Sequence, residues 1–142
     1  MTTPRISVLI DTYNHERYIE QAIVSVLEQD FPAKDIEIVV VDDGSTDGTA
    51  AIIQKFVPRV RYLRLKNGGQ ASAYNATFPE LRGHIVSFLD GDDWWAREKL
   101  TAVDDTFETN PEVAEVGHGF SRFAGPSLPG RCLCPQRLAA SI

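Results

Sequence analysis

Cysteine, methionine, tryptophan and histidine are all scarce in this chain: two, one, two and three residues among 142. Cys132 and Cys134 form a single C-x-C. A disulfide between them would be strained, and two thiols are too few for a structural zinc site. They are read as free thiols, which points to a reducing compartment. His15, His84 and His118 stand apart without metal-ligand spacing and are read as surface or structural residues. No apolar run approaches the roughly 18 residues needed to span a membrane. The opening "MTTPRISVLID" lacks a basic segment followed by a long apolar stretch, so it is not a secretory signal. A cytoplasmic location is therefore expected, in solution or at the inner face of a membrane. Basic residues are also in deficit. The net charge of −6, from 14 Lys and Arg against 20 Asp and Glu, argues against nucleic-acid phosphate as the main partner. An anionic substrate remains open, because a metal ion can supply the positive charge. Neither G-x-G-x-x-G nor G-x-x-x-x-G-K-[ST] occurs, so a glycine cradle would not hold its phosphates.

What is present fits one α/β unit. A chain of this length can bury a real core, and its hydrophobic content of 43% is ordinary for a globular protein. "RISVLID" (5–11), "IEIVVVDD" (36–43), "VRYLRL" (60–65) and "HIVSFLD" (84–90) read as buried strands, and "VAEVGHGF" (113–120) as a fifth. Between the first two, Tyr18, Ile19, Ala22, Ile23, Val26 and Leu27 recur at helical spacing, with Asn14 as the expected N-cap and Pro32 beyond the end. Further helices are expected through Ile52, Ile53 and Phe56, over Gln70–Phe78, and over "AREKLTAVDDTFETN" up to Asn110-Pro111. Apolar strands alternating with amphipathic helices indicate a mostly parallel, doubly wound sheet of Rossmann-like form, covered on both faces. Residues 1–120 are assigned to this domain. Residues 121–142, with three prolines among "AGPSLPGRCLCPQRLAASI" and no clear strand, are assigned to an irregular tail or to the start of a truncated second half.

In open parallel sheets, ligands bind beyond the carboxyl ends of the strands. Here those ends are consistently polar: Asp11-Thr12-Tyr13-Asn14, Asp42-Asp43, Asn67-Gly68-Gly69 and Asp90-Gly91-Asp92-Asp93. A single acidic loop is most simply a solvated one, but four polar strand ends on one edge make a site. A carboxylate cluster needs protons or a cation. Oxygen-rich, histidine-poor ligands suit Mg²⁺ or Mn²⁺, which bind a carboxylate or two and complete their shell with phosphate oxygens and water. A diphosphate is the natural missing ligand, and Tyr13 offers a face for a base to stack on.

"ISVLIDTYN", "IVVVDDGSTDGT", "NGGQASAYNA" and "IVSFLDGDDWW", in this order and spacing, resemble family-2 glycosyltransferases of the GT-A fold over roughly residues 5–118. The resemblance implies transfer of a sugar from a nucleotide diphosphate donor, commonly UDP-linked, with inversion at the anomeric carbon. It implies that Thr12 and Tyr13 line the base pocket, that Asp43 hydrogen-bonds the base and that Asp42 supports the turn. Gly69 and Gln70 would lie near the nucleotide. Asp90 would face the ribose or the metal, Asp92 would ligate Mn²⁺ or Mg²⁺, and Asp93 would be an outer or substitute ligand. Three departures accompany it. Asp11 stands where the family usually has proline, Tyr74 stands where it often has arginine, and residues 119–142 contain no Asp or Glu to match the downstream catalytic base. That base and the acceptor-binding half are expected beyond Ile142, leaving the acceptor unidentified.

Other readings fare differently. A phosphatase with a nucleophilic Asp expects Asp-x-Asp-Gly-Thr after the first strand, which neither acidic segment supplies. A calcium loop at Asp90 would need an oxygen ligand at Trp94 and glycine at Trp95. A non-catalytic nucleotide-sugar-binding module, or an inactive fragment, remains the alternative. Of Trp94 and Trp95, one is expected in the core. "KNGG" is first a turn that needs glycine and second a ligand loop, and Asp104-Asp105 reads as a solvated helix face.

Overall fold

Isoleucine and valine dominate the first two strands because both of their faces are covered. β1 (Ile6–Thr12) is buried except at Asp11, and β2 (Ile36–Asp42) is buried except at Ile36. Branching at Cβ restricts these side chains to rotamers that suit extended backbone. The computed structural model describes residues 3–118, 121–123, 130–133 and 138–141. Its main sheet has four strands in the order β3 (Arg61–Arg64), β2, β1, β4 (Ile85–Asp90), all parallel. The chain steps outward from β1 to β2 to β3, then returns to the other side of β1. The crevice between β1 and β4 is therefore a topological switch point.

Alternation along each strand divides the core in two. Val8, Ile10, Val40 and Leu89 face α1 (Ile19–Leu27), α2 (Thr49–Gln54) and α4 (Lys99–Thr109), whose Ile23, Val26, Ile53, Leu100 and Val103 are buried against them. Leu9, Val39 and Val41 face the other way, onto Ala73 of α3 (Gln70–Thr77). Each fully buried side chain of this kind contributes about 1.5–3 kcal/mol. The sheet is thus covered on both faces, as expected. β4 is an edge strand of the described sheet, opposite β3, and is packed mainly on one face. Ile85, Ser87 and Leu89 are buried, whereas Phe88 is 45% exposed.

Several details differ from the sequence reading. Asn14 does not cap α1, which starts after Tyr18 without a side-chain cap. Instead Asn14 takes a left-handed conformation, φ 56°, and its Oδ1 accepts the Thr46 amide at 2.8 Å. Asn tolerates that backbone better than most residues. Asp104 is not on a solvated face, because it accepts a hydrogen bond from Arg5 Nε at 2.6 Å; Asp105 is exposed. The fifth strand starts two residues later than expected: β6 (Glu115–His118) pairs antiparallel with β9 (Leu138–Ser141). The stretch read as strand-free also holds β7 (Ser121–Phe123) and β8 (Gly130–Leu133), and β8 pairs with β5 (Asp93–Trp95). Strands of three or four residues carry too little periodicity to be seen locally. Gly119, Phe120 and Cys134 lie outside the described residues. Among the described residues no helix is long and apolar enough to cross a membrane.

Candidate nucleotide-sugar site at the carboxyl edge of the sheet

Parallel pairing brings the strand ends together residue by residue. Thr12 is the register partner of Asp42, Asp11 of Asp90, and Asp42 of Arg64. The turns that follow are tied to each other. The Asp43 amide donates to the Thr12 carbonyl at 2.9 Å, the Leu65 amide to the Asp42 carbonyl at 2.8 Å, and the Gly91 amide to the Asp11 carbonyl at 2.8 Å.

Asp42 is fully buried. One carboxylate oxygen accepts the Ser45 amide at 2.7 Å and the other accepts the Tyr62 hydroxyl at 2.7 Å, so the residue holds the turn after β2. Burial first, and then this bond to Asp42, push the Tyr62 phenol above its usual range. Asp43 is 6% exposed, and its two oxygens accept the amides of Gly68 and Gly69 at 2.8 and 2.7 Å. It therefore clamps the loop before α3 onto the end of β2. Gly69 has φ +86°, a conformation that a side chain would strain.

The rim is formed by the loop after β1. Thr12 is 2% exposed, with its hydroxyl 3.2 Å from His15 Nδ1. Tyr13, the next residue, is 44% exposed and so presents its ring outward. A Cβ on Gly91 would lie 2.7 Å from Thr12 Oγ1 and 2.8 Å from His15 Nδ1, so only glycine lets β4 run this close to the rim. His15, which stands apart in the sequence, meets Thr12, three residues earlier, through the shape of the loop.

Asp90, the last residue of β4, and Asp92, just beyond it, are exposed. Partial burial first, then the charges of Asp11 and Asp92, push the Asp90 carboxyl above its usual range. Asp93 is placed differently. It is 8% exposed within β5, so the three carboxylates expected to cluster do not share one solvent-facing surface. Among the described residues no group of three or more His, Cys, Asp or Glu side chains is placed to hold an ion. The Asp90 and Asp92 pair still fits a hard divalent cation, because such an ion takes most of its ligands from phosphate and water.

Asp11 and Tyr74, two separate departures in the sequence, meet in the structure. The Tyr74 hydroxyl donates to Asp11 Oδ1 at 2.6 Å. Gln70 Nε2 lies 2.9 Å from Asp11 Oδ2 and 3.2 Å from Asp90 Oδ1. Nothing local in the sequence signals this contact across 63 residues. Trp95 is 4% exposed in the core beneath the site, as expected for one of the two tryptophans. Among the described residues its indole N–H has no hydrogen-bond partner, and the Lys99 ammonium lies 5.8 Å from its ring centre.

An α/β protein with a parallel sheet and a polar crevice at its switch point defines a broad class of nucleotide-binding enzymes. Comparison with known proteins narrows the class: residues 7–137 match the family described as glycosyl transferase family 2, and the chain belongs to that family. It is 42% identical over 118 residues to an uncharacterized glycosyltransferase of Nostoc, covering 80% of this chain and 36% of that protein. It is 38% identical over 100 residues to the poly(ribitol-phosphate) β-N-acetylglucosaminyltransferase TarS of Staphylococcus aureus, covering 68% of this chain and 18% of TarS. The crystal structure of S. aureus TarS 1–349 with UDP-GlcNAc superposes with a TM-score of 0.77 at 32% identity, over 88% of this chain and 37% of that one. A mannosyltransferase of Pyrobaculum calidifontis, solved with GDP-Man and Mn²⁺, superposes with a TM-score of 0.69 at 32% identity, over 79% and 34% of the two chains. The fold is thus that of GT-A glycosyltransferases. The chain spans about a third of the length of the Nostoc relative, at 36%, and less of TarS.

Proposed function

We propose that this chain is the donor-binding part of an inverting glycosyltransferase that uses a nucleotide diphosphate sugar, with UDP as the nucleotide. The observation that carries the reading is the convergence of four polar strand ends on the β1/β4 switch point, with an exposed tyrosine at one end and exposed carboxylates at the other. Tyr13 stacks on the base, and Thr12 and Asp43 shape the pocket beneath it. Asp42 supports the turn, and Gly69 and Gln70 line the nucleotide. Asp90 and Asp92 hold Mn²⁺ or Mg²⁺, with Asp93 packed behind them. A bound cation supplies charge neutralisation for the departing diphosphate. The relatives solved with UDP-GlcNAc and with GDP-Man and Mn²⁺ support a nucleotide-sugar donor and a divalent cation.

In the reaction, the bond from the anomeric carbon to the diphosphate breaks as an acceptor hydroxyl attacks from the opposite face. That hydroxyl's proton goes to a carboxylate base. Residues 119–142 contain no Asp or Glu, and the base and acceptor site are assigned to the part of the relatives that this chain does not span. General-base catalysis contributes about 10²–10⁴-fold. Positioning the acceptor contributes more, roughly 7–11 kcal/mol in favourable cases.

The test is to incubate the chain with UDP-sugars and Mn²⁺ and to follow UDP release with and without a panel of acceptors. Slow release that ignores the acceptor is expected, as water attacks the bound donor. Acceptor-dependent turnover of about 1 s⁻¹ or faster, ordinary for an enzyme, would contradict the assignment of the base and acceptor site elsewhere.

A further inference from the structure

Asp11 and Asp90 are register partners on adjacent parallel strands, so their side chains leave the sheet on the same face. Two carboxylates so placed repel, and unrestrained they would turn away from each other. The donors that restrain them come from α3. Gln70 and Tyr74 are four residues apart, hence one above the other on one helix face. Tyr74 donates to one oxygen of Asp11 at 2.6 Å. Gln70 Nε2 reaches the other oxygen at 2.9 Å, Asp90 Oδ1 at 3.2 Å and the Tyr74 hydroxyl at 3.2 Å. Tyr74 is itself located by Phe88 of β4, whose ring lies 5.1 Å away at 52°. Phe88 shares its strand face with Asp90, two residues on.

Every one of these donors is neutral. Among the described residues, the ion pairs of the lysines and arginines involve neither Asp11 nor Asp90. A cationic partner would orient the carboxylates and cancel their charge together. Neutral donors orient them and leave the charge in place for an incoming cation.

We propose that Tyr74 is a positioning residue: through Asp11 and Gln70 it fixes the Asp90 carboxylate at the switch point, where the diphosphate end of the donor is received. The proposal rests on the donor-binding reading above. It assigns Tyr74 no contact with the ligand. It makes Asp11, Gln70, Tyr74 and Asp90 one unit, so that loosening any link loosens Asp90.

The test uses the whole chain and the variants Tyr74→Phe, Gln70→Ala and the double variant. UDP affinity is measured calorimetrically with Mn²⁺ present. Each single variant should weaken UDP about tenfold, the scale of losing one hydrogen bond to a charged group. The double variant should be no weaker than Gln70→Ala alone, because both act along one path. Tyr74→Phe keeps the ring against Phe88, so its Tm should stay within a few degrees of the wild type. In the ligand-free protein it should also shift the Gln70 side-chain amide and Asp90 carboxyl-carbon NMR signals. An unchanged UDP affinity, singles that multiply to about a hundredfold, or a loss that comes with a fall in Tm of roughly 10 °C would each overturn the proposal. So would unmoved Gln70 and Asp90 signals. If those signals move as expected but the wild type does not bind UDP, the positioning network stands and the donor reading falls.

Discussion

Glu37 illustrates how a charge is made safe inside this protein. Its side chain is 3% exposed, at the end of the sheet opposite the candidate site. Burial alone would raise its carboxyl. Donation from Ser7, from the backbone and side chain of Arg82 and from Arg61 outweighs burial and holds it at about 2, below the ordinary 4.5. The unfolded chain therefore takes up this proton first as the pH falls. The stabilisation is complete above about pH 4.5 and is lost on the way down to about 2. Denaturant midpoints measured between pH 7 and 3 should fall with pH for the wild type. Glu37→Gln should be less stable at pH 7 and depend less steeply on pH in this window. A parallel pH dependence in the two proteins would contradict the role given to Glu37. At the other end of the sheet the logic is reversed, because Asp90 has carboxylate neighbours and its carboxyl is pushed upward, first by burial and then by their charges.

Among the elements, the apolar strands were legible because short segments rich in Ile, Val and Leu, such as Ile38–Val41, leave few alternatives. The amphipathic stripes of α1 and α4 were legible for the same kind of reason. What could not be read was anything set by distant pairing. β1 lies between β2 and β4 because of strand register, and register leaves no local trace. Asn14 resembled a helix cap because its side chain can serve as one; the structure uses the same acceptor to tie two loops together. Asp104 looked solvated because its partner, Arg5, is 99 residues away. Within the site, the polar residues were recognisable one by one, but the link between Asp11 and Tyr74 was not. The loop 67–69 gives the element-scale test. Asp43 holds the amides of Gly68 and Gly69 with both oxygens, at about 1.5–3 kcal/mol for each hydrogen bond to a charged group. Asp43→Ala should release the loop without unfolding the sheet. Hydrogen exchange should accelerate at Gly68 and Gly69 while the amides of β1 and β2 stay protected. Faster exchange throughout the sheet would instead make Asp43 part of global stability.

The whole molecule is organised around one asymmetry. Three helices and the larger part of the core secure one face of the sheet, while the carboxyl edge gathers polar residues, among them Asp90, whose carboxyl is pushed upward by burial and by its carboxylate neighbours. Whether a cation-bridged nucleotide diphosphate belongs at that edge is decided by titrating UDP calorimetrically with Mn²⁺ and again in EDTA. UDP should bind in Mn²⁺ and bind much more weakly in EDTA. Asp92→Asn should abolish the difference while the ligand-free Tm is unchanged or slightly raised, because a like charge beside Asp90 has been removed. Equal UDP affinity in Mn²⁺ and in EDTA, or a large fall in the ligand-free Tm of Asp92→Asn, would contradict that placement.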